Sequence, residues 1–243
     1  MKISCISRRA MLETGIGIAG VGAAAGFGWL TSGEVSYAAA LTQEQRDSMT
    51  SEQVIAALKQ GNERFRAGKM ETHDYLAQKR ATAGGQYPAA AILSCIDSRA
   101  PAEIILDAGI GETFNARIAG NIANDDLLGS LEFACAAAGA KLVLVMGHTS
   151  CGAIKGAIDG VVLGHLTGLV DKIKPAVPAT SFSGERVSKN AAFVDAVAKT
   201  NVLRTVDDIR RQSSVLSGLE KEGKIKIVGS MYHLLGGRVE FLT

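Results

Sequence analysis

The chain has 243 residues and a formal charge of +2, from 26 basic and 24 acidic side chains. This near balance argues against a nucleic-acid partner, which would select a clearly basic surface. Hydrophobic residues make up 47% of the chain, and no Pro/Ser-rich linker or block of charge divides it, so the composition indicates one globular domain with a full core.

The N-terminal segment resembles a twin-arginine export signal. The pair Arg8-Arg9 precedes an apolar run rich in Gly and Ala, residues 15–30, and a small-residue stretch ends at Ala40. A chance arginine pair before a membrane anchor is the alternative, but the run is shorter than the roughly 20 residues that a spanning helix needs. We therefore predict a signal peptide over residues 1–40, a protein exported to the periplasm or another extracytoplasmic space, and no stable membrane anchor after cleavage.

Two helices are predicted before the first strand. Residues 50–66 have Ser51 as a candidate cap, Gly61 as a weak point, and apolar residues at helical spacing: Val54, Ile55, Leu58 and Phe65. This stripe agrees with packing against another element, without identifying it. A poorer helical pattern covers residues 71–82.

The rest of residues 41–243 alternates between short apolar runs and helical patterns. The runs show little alternation, as expected of strands covered on both faces, at 89–93, 113–116, 141–146 and 224–228. Helical patterns connect or follow them at 102–108, 125–138, 152–158, 161–173 and 186–222. We predict a single α/β domain with a mainly parallel sheet flanked by helices, and an antiparallel edge strand within 237–242.

Polar clusters follow two of the predicted strands. One is Ser94-Cys95-Ile96-Asp97-Ser98-Arg99, and the other is Gly147-His148-Thr149-Ser150-Cys151-Gly152. Ligand sites of open α/β sheets lie outside the carboxyl ends of the strands, so both clusters are expected at the functional site.

Cys95, His148 and Cys151 are the candidate metal ligands. Two sulfurs and one nitrogen suit Zn²⁺, and three protein ligands leave a position where water can become a hydroxide nucleophile near neutral pH. The N-terminus of the helix after Cys151 is expected to favour a thiolate there. A lone His-x-x-Cys is weak evidence, since a strand-end His or a core Cys often has no such role, and Cys135 in an Ala-rich helix is interpreted as an ordinary buried thiol.

The pair of motifs is more specific than either motif alone. Cys95-Ile96-Asp97-Ser98-Arg99 followed by His148-Thr149-Ser150-Cys151 resembles the signature of the β-class carbonic anhydrases, and further similarity lies at 61–65, 117–121 and 229–232. The resemblance implies reversible hydration of CO₂ to bicarbonate and a proton by zinc-hydroxide attack, with one Zn²⁺ per subunit. It also implies a homodimer or a tetramer.

The resemblance gives Asp97 and Arg99 a catalytic role with two possible arrangements. In the open one, Asp97 accepts a hydrogen bond from zinc-bound hydroxide while Arg99 holds the carboxylate. In the closed one, Asp97 is itself a fourth zinc ligand. The sequence does not decide between an always-open and a pH-switched site, and a bidentate pair that only fixes the turn is the simpler alternative.

Four more residues match substrate-pocket positions of that family: Gln86, Phe114, Ala119 and Gly152. Gln86 would reach the pocket from the neighbouring subunit and donate a hydrogen bond to a bicarbonate oxygen. Gly152 would place a backbone N–H beside the metal. Core packing is the default interpretation of Phe114 and Ala119. The histidines His73, His165 and His233 stay open as proton relays.

Three rival functions stay open. The same zinc centre could hydrolyse carbonyl sulfide or carbon disulfide, which are linear like CO₂. The fold could serve as a noncatalytic zinc-binding or oligomerisation module. A thiol redox role for Cys95 and Cys151 is disfavoured because His148 is present and a Cys-x-x-Cys pair is not.

Overall fold

The computed structural model describes residues 40–242. Residues 1–39 hold nearly all of the predicted signal peptide and lie outside the described residues, so the signal stays a prediction. The strands of the described part are β1 (Ala90–Ser94), β2 (Thr113–Arg117), β3 (Leu142–His148), β4 (Lys226–Tyr232) and β5 (Val239–Leu242). The helices are α1 (Gln43–Ser48), α2 (Ser51–Arg66), α3 (Tyr75–Thr82), α4 (Ala102–Ile105), α5 (Asp125–Glu132), α6 (Gly152–Asp159), α7 (Gly164–Ile173), α8 (Ala176–Ala179), α9 (Ala191–Gln212) and α10 (Ser214–Lys221).

The strands form one sheet in the order β2-β1-β3-β4-β5. The pairs among β1 to β4 are parallel, and β5 joins β4 antiparallel, which confirms the predicted α/β class. The fourth strand was predicted at 224–228 but extends to Tyr232. Tyr232 continues the ladder because it pairs with His148 on one side and Val239 on the other.

Helices cover both faces of the sheet, which explains why β1 and β3 are buried at every position. One face packs on α9 and its neighbours through alternate strand residues, among them Leu93 and Val145. The other face packs on α2 through Ile92 and Leu144. The apolar stripe of α2 therefore has its partner within the same chain, since Val54 and Leu58 are buried against this second face.

The details of α2 differ from the prediction in two ways. Thr50, not Ser51, is the N-cap, because it forms a reciprocal capping box with Gln53 while the Ser51 hydroxyl donates to the Lys141 carbonyl. Gly61 permits a close helix approach, since a Cβ there would collide with the Leu106 carbonyl oxygen.

Other helix boundaries moved for local reasons. The pattern at 186–222 forms two helices, because the extended residue Ser213 ends α9 and caps α10 through Leu216 N–H. α4 stops before its predicted end at Ala108, where Asp107 has a left-handed φ of 50°. α3 begins at Tyr75 rather than at residue 71, because Asp74 is its N-cap.

Two further helical features differ from the prediction. The segment 125–138 is α5 followed by a π-helical turn. Helix α1, which has its own capping box, was not predicted.

One edge of β4 is closed by side chains instead of a strand. Beyond the end of β5, Ile227 N–H donates to Glu220 Oε1 at 3.1 Å, and its carbonyl accepts from Arg210 Nη2 at 2.9 Å. Arg210 and Glu220 also bind each other through two contacts of 2.8 and 2.9 Å. The ion pair satisfies the peptide groups that a neighbouring strand would otherwise pair with.

Within residues 40–242, no single helix has the length and apolar composition to cross a membrane; Gly152–Asp159 and Gly164–Ala179, joined at a bend of 89°, meet that test only as a pair.

Candidate metal centre

Two adjacent parallel strands bring the three predicted ligands together. Cys95 directly follows β1, His148 is the last residue of β3, and Cys151 is the N-cap of α6. Because β1 and β3 are neighbours in register, their carboxyl ends lie side by side. The ligand atoms of the three residues all lie within 4.8 Å of one another, and all three residues are buried.

The donor atoms fit a tetrahedral zinc ion. Two thiolate sulfurs on one zinc, each at about 2.3 Å, would lie about 3.8 Å apart, and the Sγ atoms of Cys95 and Cys151 are 4.0 Å apart. His148 Nδ1 lies 2.9 Å from the Thr149 carbonyl oxygen and so carries the proton. His148 Nε2 is buried and has no hydrogen-bond partner among residues 40–242, which leaves its lone pair for a cation.

Negative charge is favoured on Cys95. The hydrogen bond from Cys151 lowers the pKa of the Cys95 thiol, with help from His148 and from the Gly120 N–H, whose nitrogen lies 3.4 Å from Sγ. The neighbouring Cys95 and burial raise the pKa of Cys151. The N–H groups of Ala153 and Ile154 at the start of α6 lower the pKa of Cys151, as expected of a helix N-terminus, but the effects of Cys95 and of burial are larger.

Asp97 and Arg99 form the bidentate pair that their spacing predicts. Arg99 Nε and Nη2 donate to the two carboxylate oxygens at 3.0 and 2.8 Å, and the Arg99 backbone N–H adds a bond of 2.9 Å. Hydrogen bonds from Arg99 hold the pKa of Asp97 well below its usual range. Asp97 Oδ2 lies 3.7 Å from His148 Nε2, so a charged carboxylate stands beside the metal-facing nitrogen.

Arg117 is a supporting residue to which the sequence reasoning gave no role. As the last residue of β2 it donates to the carbonyl of Cys95 at 2.9 Å and to that of Asp97 at 2.6 Å. One side chain thus fixes the backbone of a predicted ligand and of a predicted catalytic carboxylate. Its place in the stretch 117–121, already noted for similarity, was the available signal.

Gly120 and Asn201 support Cys95 from the other side. Gly120 has a φ of 70°, and a Cβ there would collide with Ile173, so its N–H approaches the Cys95 sulfur only because the residue is glycine. Asn201 of α9 holds Gly120 in place by donating to its carbonyl at 2.8 Å.

Comparisons with known proteins agree with this geometry. The carbonic anhydrase family model matches residues 90–239. The chain belongs to the carbonic anhydrase family. It is 38% identical to "Carbonic anhydrase 2" of Mycobacterium tuberculosis over 188 residues, which span 75% of this chain and 88% of that protein. Identity to a carbonic anhydrase of Mycolicibacterium smegmatis is 34% over 186 residues, which span 76% of this chain and 89% of that protein.

The fold is that of the β-carbonic anhydrases. A β-carbonic anhydrase from Coccomyxa, solved with acetazolamide, superposes with a TM-score of 0.61 at 22% identity, over 80% of this chain and 86% of that chain. The β-carbonic anhydrase CcaA gives a TM-score of 0.60 at 21% identity, over 78% and 92% of the two chains.

The predicted substrate residues of this carbonic anhydrase are not all at the metal cluster. Gly152 directly follows Cys151, and Ala119 is half-buried in the turn that leads to Gly120. Phe114 lies on the edge strand β2, where the centroid of its ring is 6.1 Å from that of the Phe133 ring.

Gln86 lies at the opposite end of the sheet from the cluster in the same chain. It is exposed in the loop before β1, whereas Cys95 comes after β1. Five strand residues at about 3.3 Å each separate the two ends by roughly 17 Å. Gln86 therefore reaches a metal cluster only if that cluster belongs to another subunit.

Proposed function

We propose that this carbonic anhydrase catalyses the reversible hydration of CO₂ to bicarbonate and a proton, with one zinc ion held by Cys95, His148 and Cys151. The observation that carries the proposal is the convergence of two buried sulfurs and an unpartnered His148 Nε2 beside the charged Asp97. Zinc supplies Lewis acidity that lowers the pKa of water toward neutrality and so makes a nucleophile available at ordinary pH.

Asp97 acts in this proposal as an acceptor that orients the attacking water. A carboxylate held ionised by Arg99 can only accept hydrogen bonds, so it selects the orientation in which an oxygen lone pair faces CO₂. Arg99 donates hydrogen bonds to both carboxylate oxygens of Asp97 and so holds the carboxylate in place. This favours the open arrangement, in which Asp97 is not a zinc ligand. Activity throughout the range from about pH 6.5 to about pH 9 supports this arrangement, and activity confined to the alkaline end contradicts it.

The test of the function compares two buried cysteines. Cys151→Ser removes a proposed ligand, whereas Cys135→Ser changes a buried thiol of the π-helical turn, whose pKa burial raises to about 12 and which lies outside the metal cluster. Zinc content and stopped-flow CO₂ hydration should both be lost in C151S and both be kept in C135S. Full zinc and normal turnover in C151S would overturn the ligand set.

The same preparation separates the rival functions. Release of hydrogen sulfide from carbonyl sulfide, with no hydration of CO₂, would make the sulfur substrates the function. Stoichiometric zinc with neither activity would support the noncatalytic module.

We also propose that the active unit is at least a homodimer that brings Gln86 to the partner's metal centre. The separation of Gln86 from Cys95 within one chain supports this, and so does the exposed Phe133, at 57%, beside the edge strand β2. One solved structure of this fold is described as a tetrameric β-carbonic anhydrase from Sordaria macrospora. Phe133→Lys should shift sedimentation toward the monomer and lower activity together; a fully active monomer contradicts the shared site.

Export through the twin-arginine route is a further proposal. It is supported by the order of Arg8-Arg9, the apolar run and the small residues before Ala40. Replacement of both arginines by lysine should retain the protein in the cytoplasm with its N-terminal segment uncleaved. Unchanged appearance in the extracytoplasmic fraction would contradict it.

A further inference from the structure

The turn between the metal ligands His148 and Cys151 has a backbone conformation that its sequence does not favour. Ser150 has a φ of 56°, in the left-handed region that non-glycine residues other than Asn, Asp and His adopt uncommonly. This conformation is what lets the end of β3 and the start of α6 point their side chains at one place. An outlier of this kind persists only where surrounding contacts impose it.

The Ser150 backbone has a contact of this kind with α9. Asp195 Oδ1 accepts the Ser150 backbone N–H at 2.7 Å, across 45 residues of sequence. A hydrogen bond to a carboxylate is shorter and stronger than one between neutral groups. Asp195 is half-buried and forms no ion pair within residues 40–242. Its carboxylate accepts a hydrogen bond from the Ser150 peptide instead.

The flanking residue of the turn is held by a different element. Thr149 N–H donates to the Tyr232 carbonyl at 3.0 Å, and its hydroxyl accepts from Leu234 N–H at 3.0 Å. These bonds anchor the first half of the turn to the end of β4, whereas the reversal at Ser150 depends on α9. Asn201, also on α9, supports Gly120 near Cys95, so the helix contacts both halves of the metal centre.

We propose that Asp195 is a positioning residue of the metal centre, whose carboxylate holds Ser150 in the left-handed turn that aims His148 and Cys151 at a common ion. The inference rests on the proposed zinc site but not on the identity of the substrate. Asp195 touches neither metal nor substrate in this role; it acts through the Ser150 peptide.

The test is a double-mutant cycle between Asp195 and Ser150, read by zinc affinity in competition with a chelator. Changes in the shell around metal ligands typically weaken binding about 10- to 100-fold, and D195A is expected within that range. Glycine adopts a positive φ without strain. The D195A effect measured in the S150G background should therefore shrink to less than about threefold. D195N keeps an acceptor oxygen of the same shape and should fall between the wild type and D195A.

A global loss of stability would produce a different pattern. If D195A weakened zinc binding through a global loss of stability, its effect on zinc affinity would be the same in the S150G background. An undiminished D195A effect there overturns the proposal. Wild-type zinc affinity in D195A also overturns it. The matched control is D208A, which removes another carboxylate of α9 that pairs with Arg211 at the surface and should leave zinc affinity unchanged.

Cobalt substitution gives a second readout that does not depend on catalysis. The visible spectrum of the Co²⁺ protein reports the ligand geometry, and we expect D195A to broaden or shift it while D195A/S150G restores it. D195N provides the same comparison if D195A does not fold. Zinc-loaded wild type without CO₂ hydration would refute the proposed function while leaving this cycle readable.

Discussion

The two ends of the parallel sheet both collect buried ionisable groups, and they use them in opposite ways. At the carboxyl end, the donor atoms of Cys95, His148 and Cys151 converge with one nitrogen left unpartnered within the described chain. At the amino end, Asp107 is fully buried but saturated: Arg64 Nε donates at 2.5 Å, and His73 Nε2 lies at 3.1 Å. Converging metal-ligand atoms that include a buried nitrogen without a hydrogen-bond partner indicate a cation site, whereas matched donors and acceptors indicate a structural network.

The amino end also contains a buried carboxyl group, that of Glu112, with one oxygen that has no hydrogen-bond partner in the described residues. Glu112 is 97% buried; one oxygen accepts Gly109 N–H at 2.8 Å, and the other has no partner in the described residues. Burial, together with the charges of Glu71 and Asp107, raises the pKa of Glu112 to about 8, so the folded protein keeps this carboxyl protonated at neutral pH. Within residues 40–242, the group of ligand side chains that lie close enough together to hold one metal ion is the group at the carboxyl end.

Disruption of the amino-end network should have the strongest consequence for stability. Asp107→Ala leaves Arg64 and His73 without their shared partner and should lower the free energy of unfolding by about 3–5 kcal/mol, measured by urea denaturation. The matched control is Glu63→Ala, which breaks an exposed pair on the same helix as Arg64 and should cost less than about 1 kcal/mol. Similar losses in the two variants would mean that the buried network does not stabilise the fold.

The next effect belongs to the carboxyl end and should leave stability alone. Asp97→Asn keeps the shape but removes the charged acceptor, so CO₂ hydration should fall about 100-fold while zinc content and unfolding midpoint stay near wild type. Asp171→Asn, at an exposed pair with Lys174, should change none of the three. A D97N protein with full activity would reduce the Asp97–Arg99 pair to a structural turn.

The last effect is a pH dependence of stability due to Glu112, which appears only as the pH is raised. Because its folded pKa is raised to about 8, above the unfolded value, the folded state binds the extra proton between roughly pH 4.5 and pH 8. Its contribution is fully present below that window and is lost as pH rises through it. Glu112→Gln should therefore flatten the decline of the urea midpoint and be more stable than wild type at about pH 9; parallel curves would contradict the raised pKa.

The sequence predicted those features that rest on periodicity and on strand ends. Unbroken apolar runs place β1 and β3 in the interior, and parallel strands must present Cys95 and His148 at the same edge of the sheet. The spacing of Asp97 and Arg99 predicted their bidentate pair because both residues belong to one short turn. Each of these predictions needs only local geometry and the order of the strands.

The features that sequence reasoning missed depend on contacts between distant segments. Asp195 acts on a backbone N–H, which has no residue-specific signal in sequence, so nothing in the pattern connects Asp195 with Ser150. The packing role of Gly61 was not predicted, because helix propensity describes an isolated helix and not the close approach of Leu106. The opposite pKa shifts of Cys95 and Cys151 depend mainly on the contact between their two sulfurs, which only the fold creates.

The ion pair that occupies the outer edge of β4 has a consequence for how copies of this chain associate. Arg210 and Glu220 imitate the donor and acceptor of a peptide at Ile227, so on that side only the four residues of β5 can add another strand. β2 at the opposite margin carries no such cap in the described residues. A segment whose peptide groups already have partners cannot pair with another chain, so continuation of the sheet on this side is confined to β5. We therefore expect this ion pair to shorten the margin through which copies of the chain could associate.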